Sequence, residues 1–196
     1  MKYITEIFLD VAPKLEAIPE CSEDIQHVRN ILKRGIAGCT FEEFDWQYHF
    51  VVLCSYFKMQ LADDLCHRYF DSGKDISLIR NPNKKAAFTL AKDNLPKWYS
   101  GLFNHADTLE YLETLPMIGE TTRCHLGRNI GIDCCKPDRH MIRLSEQHGY
   151  GQYKKVKEQW RAVTRMCTDV RDDIGNAEMI GTIDVILWWA CNLRLL

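Results

Sequence analysis

No apolar stretch in the 196-residue chain approaches the twenty or so residues that a membrane-crossing helix needs. There is no CxxC pair and no cluster of cysteines toward the C-terminal end, so the cysteine spacing does not suit an iron–sulfur cluster. Alternating apolar and polar stretches are scarce, which argues against β-architectures. Internal repeats, low-complexity segments and long linkers are also absent. What remains is an all-α chain whose 46% hydrophobic content can bury a real core as one compact unit.

Nine cysteines are present, at positions 21, 39, 54, 66, 124, 134, 135, 167 and 191. Adjacent Cys134 and Cys135 point poorly for a shared metal, and the odd count without a leader-like segment is expected of reduced thiols in a cytosol-like compartment. Most of them read as small buried hydrophobes, and metal-dependent catalysis is not indicated. The net charge of −2 is close to neutral, but its distribution is uneven. Residues 1–45 carry five Lys/Arg against nine Asp/Glu, whereas residues 121–161 carry nine against four. Lys154, Lys155, Lys157 and Arg161 in the basic part are either a solvated face or a contact for nucleic-acid backbone.

Apolar spacing predicts helices over 3–17, 22–34, 59–71, 84–102, 153–172 and 178–193. A capping box at Thr40 and Glu43 opens a further one bearing Phe44, Tyr48, Val51, Val52, Ser55 and Met59. The most informative run lies between Leu112 and Leu144. Pro116 stops a helix, because proline lacks an N–H and disfavours helical dihedrals in the residue before it. Gly119 permits a tight turn, and Glu120, Thr121 and Thr122 form the polar first turn of the next helix, through Arg128. Free backbone N–H groups at the positive end of that helix dipole suit a phosphate. Downstream, Pro137 fixes an extended lead-in and Asp138 opens a helix with Met141, Ile142 and Leu144. An Asp at that point is favoured for capping alone.

The two patterns together resemble the core of the helix-hairpin-helix DNA glycosylase superfamily. Its hairpin reads Leu-Pro-Gly-Val-Gly-x-Lys-Thr and falls on Leu115 to Thr122. Its later Val-Asp-Thr-His-Val-x-Arg-Val falls on Pro137 to Leu144, matching Asp138, His140 and Arg143. The resemblance implies a single two-lobed all-α unit over residues 1–196, with the hairpin at about 108–130 and the catalytic loop at about 131–144. Asp138 would be the catalytic carboxylate. Met117, Ile118, Gly119, Thr121, Thr122, Lys136, Arg139, His140 and Arg143 would hold the DNA backbone. Met117 stands where the family has its first hairpin glycine. Thr121 occupies the family's Schiff-base lysine position, and a hydroxyl cannot form an imine. That implies the monofunctional route, in which a carboxylate helps water displace the base; Lys136 is a competing amine at a different motif position. No cofactor is implied beyond a structural monovalent cation at the hairpin, and no iron–sulfur cluster.

A base inside a duplex is hidden in the stack, so it must be flipped out and its place filled by a wedge. Cys54-Ser55-Tyr56-Phe57 resembles the family's wedge segment, making Phe57 or Tyr56 the wedge, with core packing as the plain alternative. Trp46, Tyr48 and His49 are the expected stacking residues, and Asp184 and Trp188 would face them from the last helix; Trp188 and Trp189 cannot both line one pocket. The implied function is excision of a damaged or modified base from double-stranded DNA, leaving an abasic site. The Lys-Pro-Asp-Arg-His form resembles a bacterial and phage-associated branch, which implies a cytoplasmic monomer and a bulky modified pyrimidine in phage DNA as an antiphage target. The alternatives are an enzyme that alters thymine-derived bases without removing them and a non-catalytic DNA-binding module.

Overall fold

The computed structural model describes residues 3–55 and 57–196, and the regular structure among them is helical throughout. Ten α-helices follow one another: α1 (Ile4–Glu16), α2 (Pro19–Arg34), α3 (Phe41–Cys54), α4 (Met59–Asp71), α5 (Pro82–Gly101), α6 (Thr108–Glu113), α7 (Glu120–Asn129), α8 (Arg139–Gln147), α9 (Val156–Asp173) and α10 (Ile180–Asn192). Their starts have local causes. The Glu43 N–H donates to Thr40 Oγ1 at 3.2 Å while the Thr40 N–H donates to Glu43 Oε2 at 2.9 Å, which completes the capping box of α3. Asn81 accepts from the N–H groups of Asn83 and Lys84 and is followed by Pro82 at the first helical position, so α5 begins two residues before its apolar period.

Two hydrophobic cores form, and they divide the chain into a first lobe made of both ends and a second made of the middle. Phe8, Leu15, Ile25, Met141, Met166, Ile183 and Ile186 belong to the first core, on α1, α2, α8, α9 and α10. Phe44, Tyr48, Val52, Tyr69, Phe88, Leu112 and Leu126 belong to the second, on α3 to α7. Each such side chain contributes about 1.5–3 kcal/mol by leaving water.

The chain therefore crosses between lobes twice, after α2 and after α7. Both crossings turn at glycines with left-handed backbone, Gly35 and Gly131. They touch each other, since a Cβ on Gly131 would stand 2.5 Å from the Gly35 carbonyl carbon. The second crossing leads directly into Asp138 at the head of α8.

Candidate active site

The hairpin between α6 and α7 turns at Met117, which holds a left-handed φ of 64° where the related pattern has glycine. The Met117 side chain is half-buried against the second core. The Ile118 side chain is buried and its N–H donates to Leu115 O at 3.1 Å; the Gly119 N–H donates to Thr122 Oγ1 at 2.7 Å. These two amides, expected to be free, are thus already satisfied. The N–H groups of Glu120, Thr121 and Thr122 in the first turn of α7 lack a protein acceptor among the described residues and form the outward-facing donor set.

Asp138 is the N-cap of α8. Its Oδ1 accepts from the N–H groups of His140 at 2.9 Å and Met141 at 3.1 Å, so one carboxylate oxygen is fixed by backbone. Oδ2 has no partner among the described residues, and Asp138 lines a cavity of about 420 Å³ between the lobes. That volume falls within the roughly 300–1,000 Å³ usual for small-molecule sites. Arg139, exposed on the rim of the same helix start, donates to His140 Nε2 at 3.4 Å, and Arg143 one turn on is exposed.

The cavity floor is polar. Asp184 of α10 is buried and ion-paired with Arg128 of α7, and its Oδ2 also accepts from the Lys136 backbone N–H at 3.3 Å. Burial pushes the Asp184 carboxyl up to about 6, partly offset by Arg128. Burial holds His125, on the same wall, well below the ordinary histidine value, so it is neutral. Beneath the floor the Cys135 and Cys167 thiols come within 4.8 Å of the Asp184 carboxylate; burial pushes Cys135 up, keeping it a neutral thiol.

Lys136 differs from its expected placement. Its side chain lines the cavity beside Asp138 instead of an outer, backbone-facing surface. Burial pulls its ammonium below the ordinary lysine value, against the opposing pull of the Asp138 carboxylate.

Trp46 of α3 and Trp188 of α10 both line the cavity, each packed against a different core. Trp189 instead packs in the first core with its indole N–H donating to Asp24 Oδ2 at 2.8 Å. Tyr48 and His49 are a correction. Both are buried in the second core, because α4, α5 and α7 pack around α3 and leave only part of it facing the cleft. The Tyr48 hydroxyl donates to Pro116 O at 3.0 Å, tying α3 to the hairpin, and His49 Nδ1 lies 2.8 Å from Asp45 O.

No family model and no curated protein sequence matches the chain. Among solved structures, the 8-oxoguanine glycosylase/lyase of Methanocaldococcus jannaschii, crystallised in complex with 15-mer DNA containing 8-oxoguanine, superposes with a TM-score of 0.71. The alignment covers 97% of this chain and 99% of that one at 15% identity. The fold is that of a helix-hairpin-helix glycosylase. Both lobes and the cleft between them belong to the helix-hairpin-helix glycosylase fold, since almost nothing of either chain lies outside the match.

Phe57 sits in the turn between α3 and α4 and is 50% exposed, so core packing is not its role; the Lys84 ammonium stands 5.2 Å from its ring centroid. Tyr56, the other wedge expectation, lies outside the described residues. Sequence reasoning missed Arg128, His125 and the Gln47–Asn129 pair, whose side chains hydrogen-bond at 2.7 Å on the cavity wall. Arg128 carries a weak signal, being polar on a helix whose neighbours face the core, but its partner lies 56 residues away.

Proposed function

We propose that the protein is a DNA N-glycosylase that receives a base flipped out of a duplex into the interlobe cleft and releases it by hydrolysis. The observation that carries this reading is Asp138, whose cap fixes Oδ1 while Oδ2 stays unpartnered on the cavity wall. As the base departs, the sugar acquires oxocarbenium character. A fixed carboxylate stabilises that charge and orients the attacking water. The free N–H groups at Glu120 to Thr122, with Arg139 and Arg143, hold phosphates on either side, which fixes the sugar without reading sequence. Trp46 and Trp188 offer aromatic faces to the base, and Phe57 fills the vacated stack. Thr121 has no amine to offer from the hairpin, so base release runs through water.

The substrate class we infer is a damaged or modified base. A volume of about 420 Å³ has room for a base enlarged by modification, such as the bulky pyrimidines of phage DNA, as well as for an ordinary damaged base. Defence against phage would be the corresponding role, in a bacterial cytoplasm.

The test is single-turnover reaction with duplexes carrying 8-oxoguanine, alkylated purines or oxidised pyrimidines, and with modified phage DNA, following freed bases by mass spectrometry. Asp138→Asn keeps an oxygen for the cap, so it should fold and bind DNA while base release falls about 10²–10⁴-fold. Wild-type rates in that variant, or bound DNA with no base released from any substrate, would overturn the reading; a base altered in place would instead identify a modifying enzyme.

A further inference from the structure

We propose that the cleft selects a base carrying a positively charged, amine-bearing substituent, with Glu20, Asp24 and Asp63 as its counter-charges. This rests on the reading that a flipped base enters the interlobe cavity, and it names the chemical class of that base.

The charge of the cavity wall carries the inference. Its lining holds five carboxylates, Glu20, Asp24, Asp63, Asp138 and Asp184, against two Lys/Arg side chains, Arg128 and Lys136. Arg128 is taken up by Asp184, and the Asp138 carboxylate attracts the Lys136 ammonium. The excess therefore falls on α2 and α4, neither of which sends a lysine or arginine to the cavity. Glu20 and Asp24 stand one turn apart on one face of α2, a like-charged pair that opposes helix formation. Glu20 has neither a hydrogen bond nor an ion pair among the described residues. Asp24 uses only Oδ2, for the Trp189 indole, and Asp63 is half exposed, 3.8 Å from His67.

A wall of this sign works against a polyanionic ligand, because carboxylates repel phosphates. It is compensated when the ligand itself brings positive charge into the cavity. Asp184 gives an independent indication. It lines the same cavity at 1% exposure, and its Oδ1 lacks a hydrogen-bond partner among the described residues. A buried acceptor of this kind calls for a donor from the ligand. An ammonium-bearing chain supplies positive charge and donors together; a hydroxylated chain supplies donors alone, and an ionised carboxylate chain supplies neither. Because Arg128 and Lys136 offset the acids of the floor, the positive charge belongs on a substituent that reaches α2 and α4 and not on the ring.

The experiment uses the full chain and duplexes that differ at one pyrimidine, whose C5 carries an aminopropyl chain, the same chain N-acetylated, or a carboxyethyl chain. Competition binding and single-turnover base release are both read. The amine duplex should bind about tenfold more tightly than its neutral acetyl counterpart, since one exposed charge pair supplies up to about fivefold and three carboxylates are available. The carboxylate duplex should bind most weakly. Glu20→Gln, Asp24→Asn and Asp63→Asn together should bring the ratio between amine and acetyl duplexes close to one. Should that variant not fold, Glu20→Gln alone, at an exposed residue without a partner, should still lower the ratio. A preference for the amine that these substitutions reduce supports the proposal even if no base is released from any duplex. Equal or tighter binding of the acetyl duplex by wild type, or a preference that survives the substitutions, overturns it even if damaged bases are released.

Discussion

Arg128 of α7 and Asp184 of α10 form an ion pair at the floor of the cleft, joining the two lobes behind the cavity. Asp184 is buried, and its Oδ1 has no hydrogen-bond partner among the described residues. The carboxylate is thus compensated by one guanidinium and one backbone N–H from the loop that carries Lys136 and Asp138.

This arrangement sets a pH dependence of stability. Burial pushes the folded-state Asp184 carboxyl up to about 6, above the 3.8 of its ordinary value. The folded protein therefore holds a proton there more readily than the unfolded chain, and the associated stability is fully present below the ordinary value and is lost as pH rises through about 6. Urea unfolding of wild type and Asp184→Asn between pH 4 and 7 checks this. The stability difference, wild type minus variant, should fall across that window and then level off; a flat difference would show that the group does not titrate there.

Removing Arg128 alone should be severe at neutral pH, because it strands a buried carboxylate. Arg128→Met is expected to cost about 3–5 kcal/mol, and Arg128→Met with Asp184→Leu much less, since the charge that needs a partner is gone. Chemical denaturation of both variants measures the gap.

Trp46 and Trp188 should act on the base and not on the backbone. Trp46→Ala and Trp188→Ala are expected to weaken binding of a duplex carrying the excised base by roughly 1–3 kcal/mol each. Affinity for an otherwise identical abasic duplex should hardly change. Equal losses on both duplexes in a fluorescence titration would place the tryptophans outside the base contact.

Gly131→Ala tests the crossing between lobes. A Cβ there meets backbone of Gly35 at 2.5 Å from a residue already at φ 104°, so neither rotamer change nor side-chain adjustment can relieve it. A loss of about 2 kcal/mol or more, seen as a lowered urea midpoint, is expected. An unchanged midpoint would mean that the crossings do not constrain one another.

Much of this protein was legible in the chain because its determinants are local. Helix starts follow from side chains within four residues, as at Thr40 with Glu43 and at Asp138 with His140 and Met141. The opposed facing of Trp188 and Trp189 follows from helical periodicity. The α3 residues were harder. Trp46, Tyr48 and His49 share one short stretch, and only the packing of α4, α5 and α7 around it decided that Trp46 reaches the cleft while the other two enter the core.

The sequence by itself determined the helical class, the hairpin and the carboxylate at the head of α8, since each depends on backbone preferences and neighbours a turn away. Only the tertiary structure decided what surrounds that carboxylate. Arg128, Asp184, Trp46 and Lys136 come from four separate segments, and their meeting depends on which faces two lobes turn toward each other. Burial is a property of that meeting. It makes His125 neutral, raises Asp184 and leaves the amine of Lys136 unpaired beside Asp138, and no spacing rule along the chain encodes it.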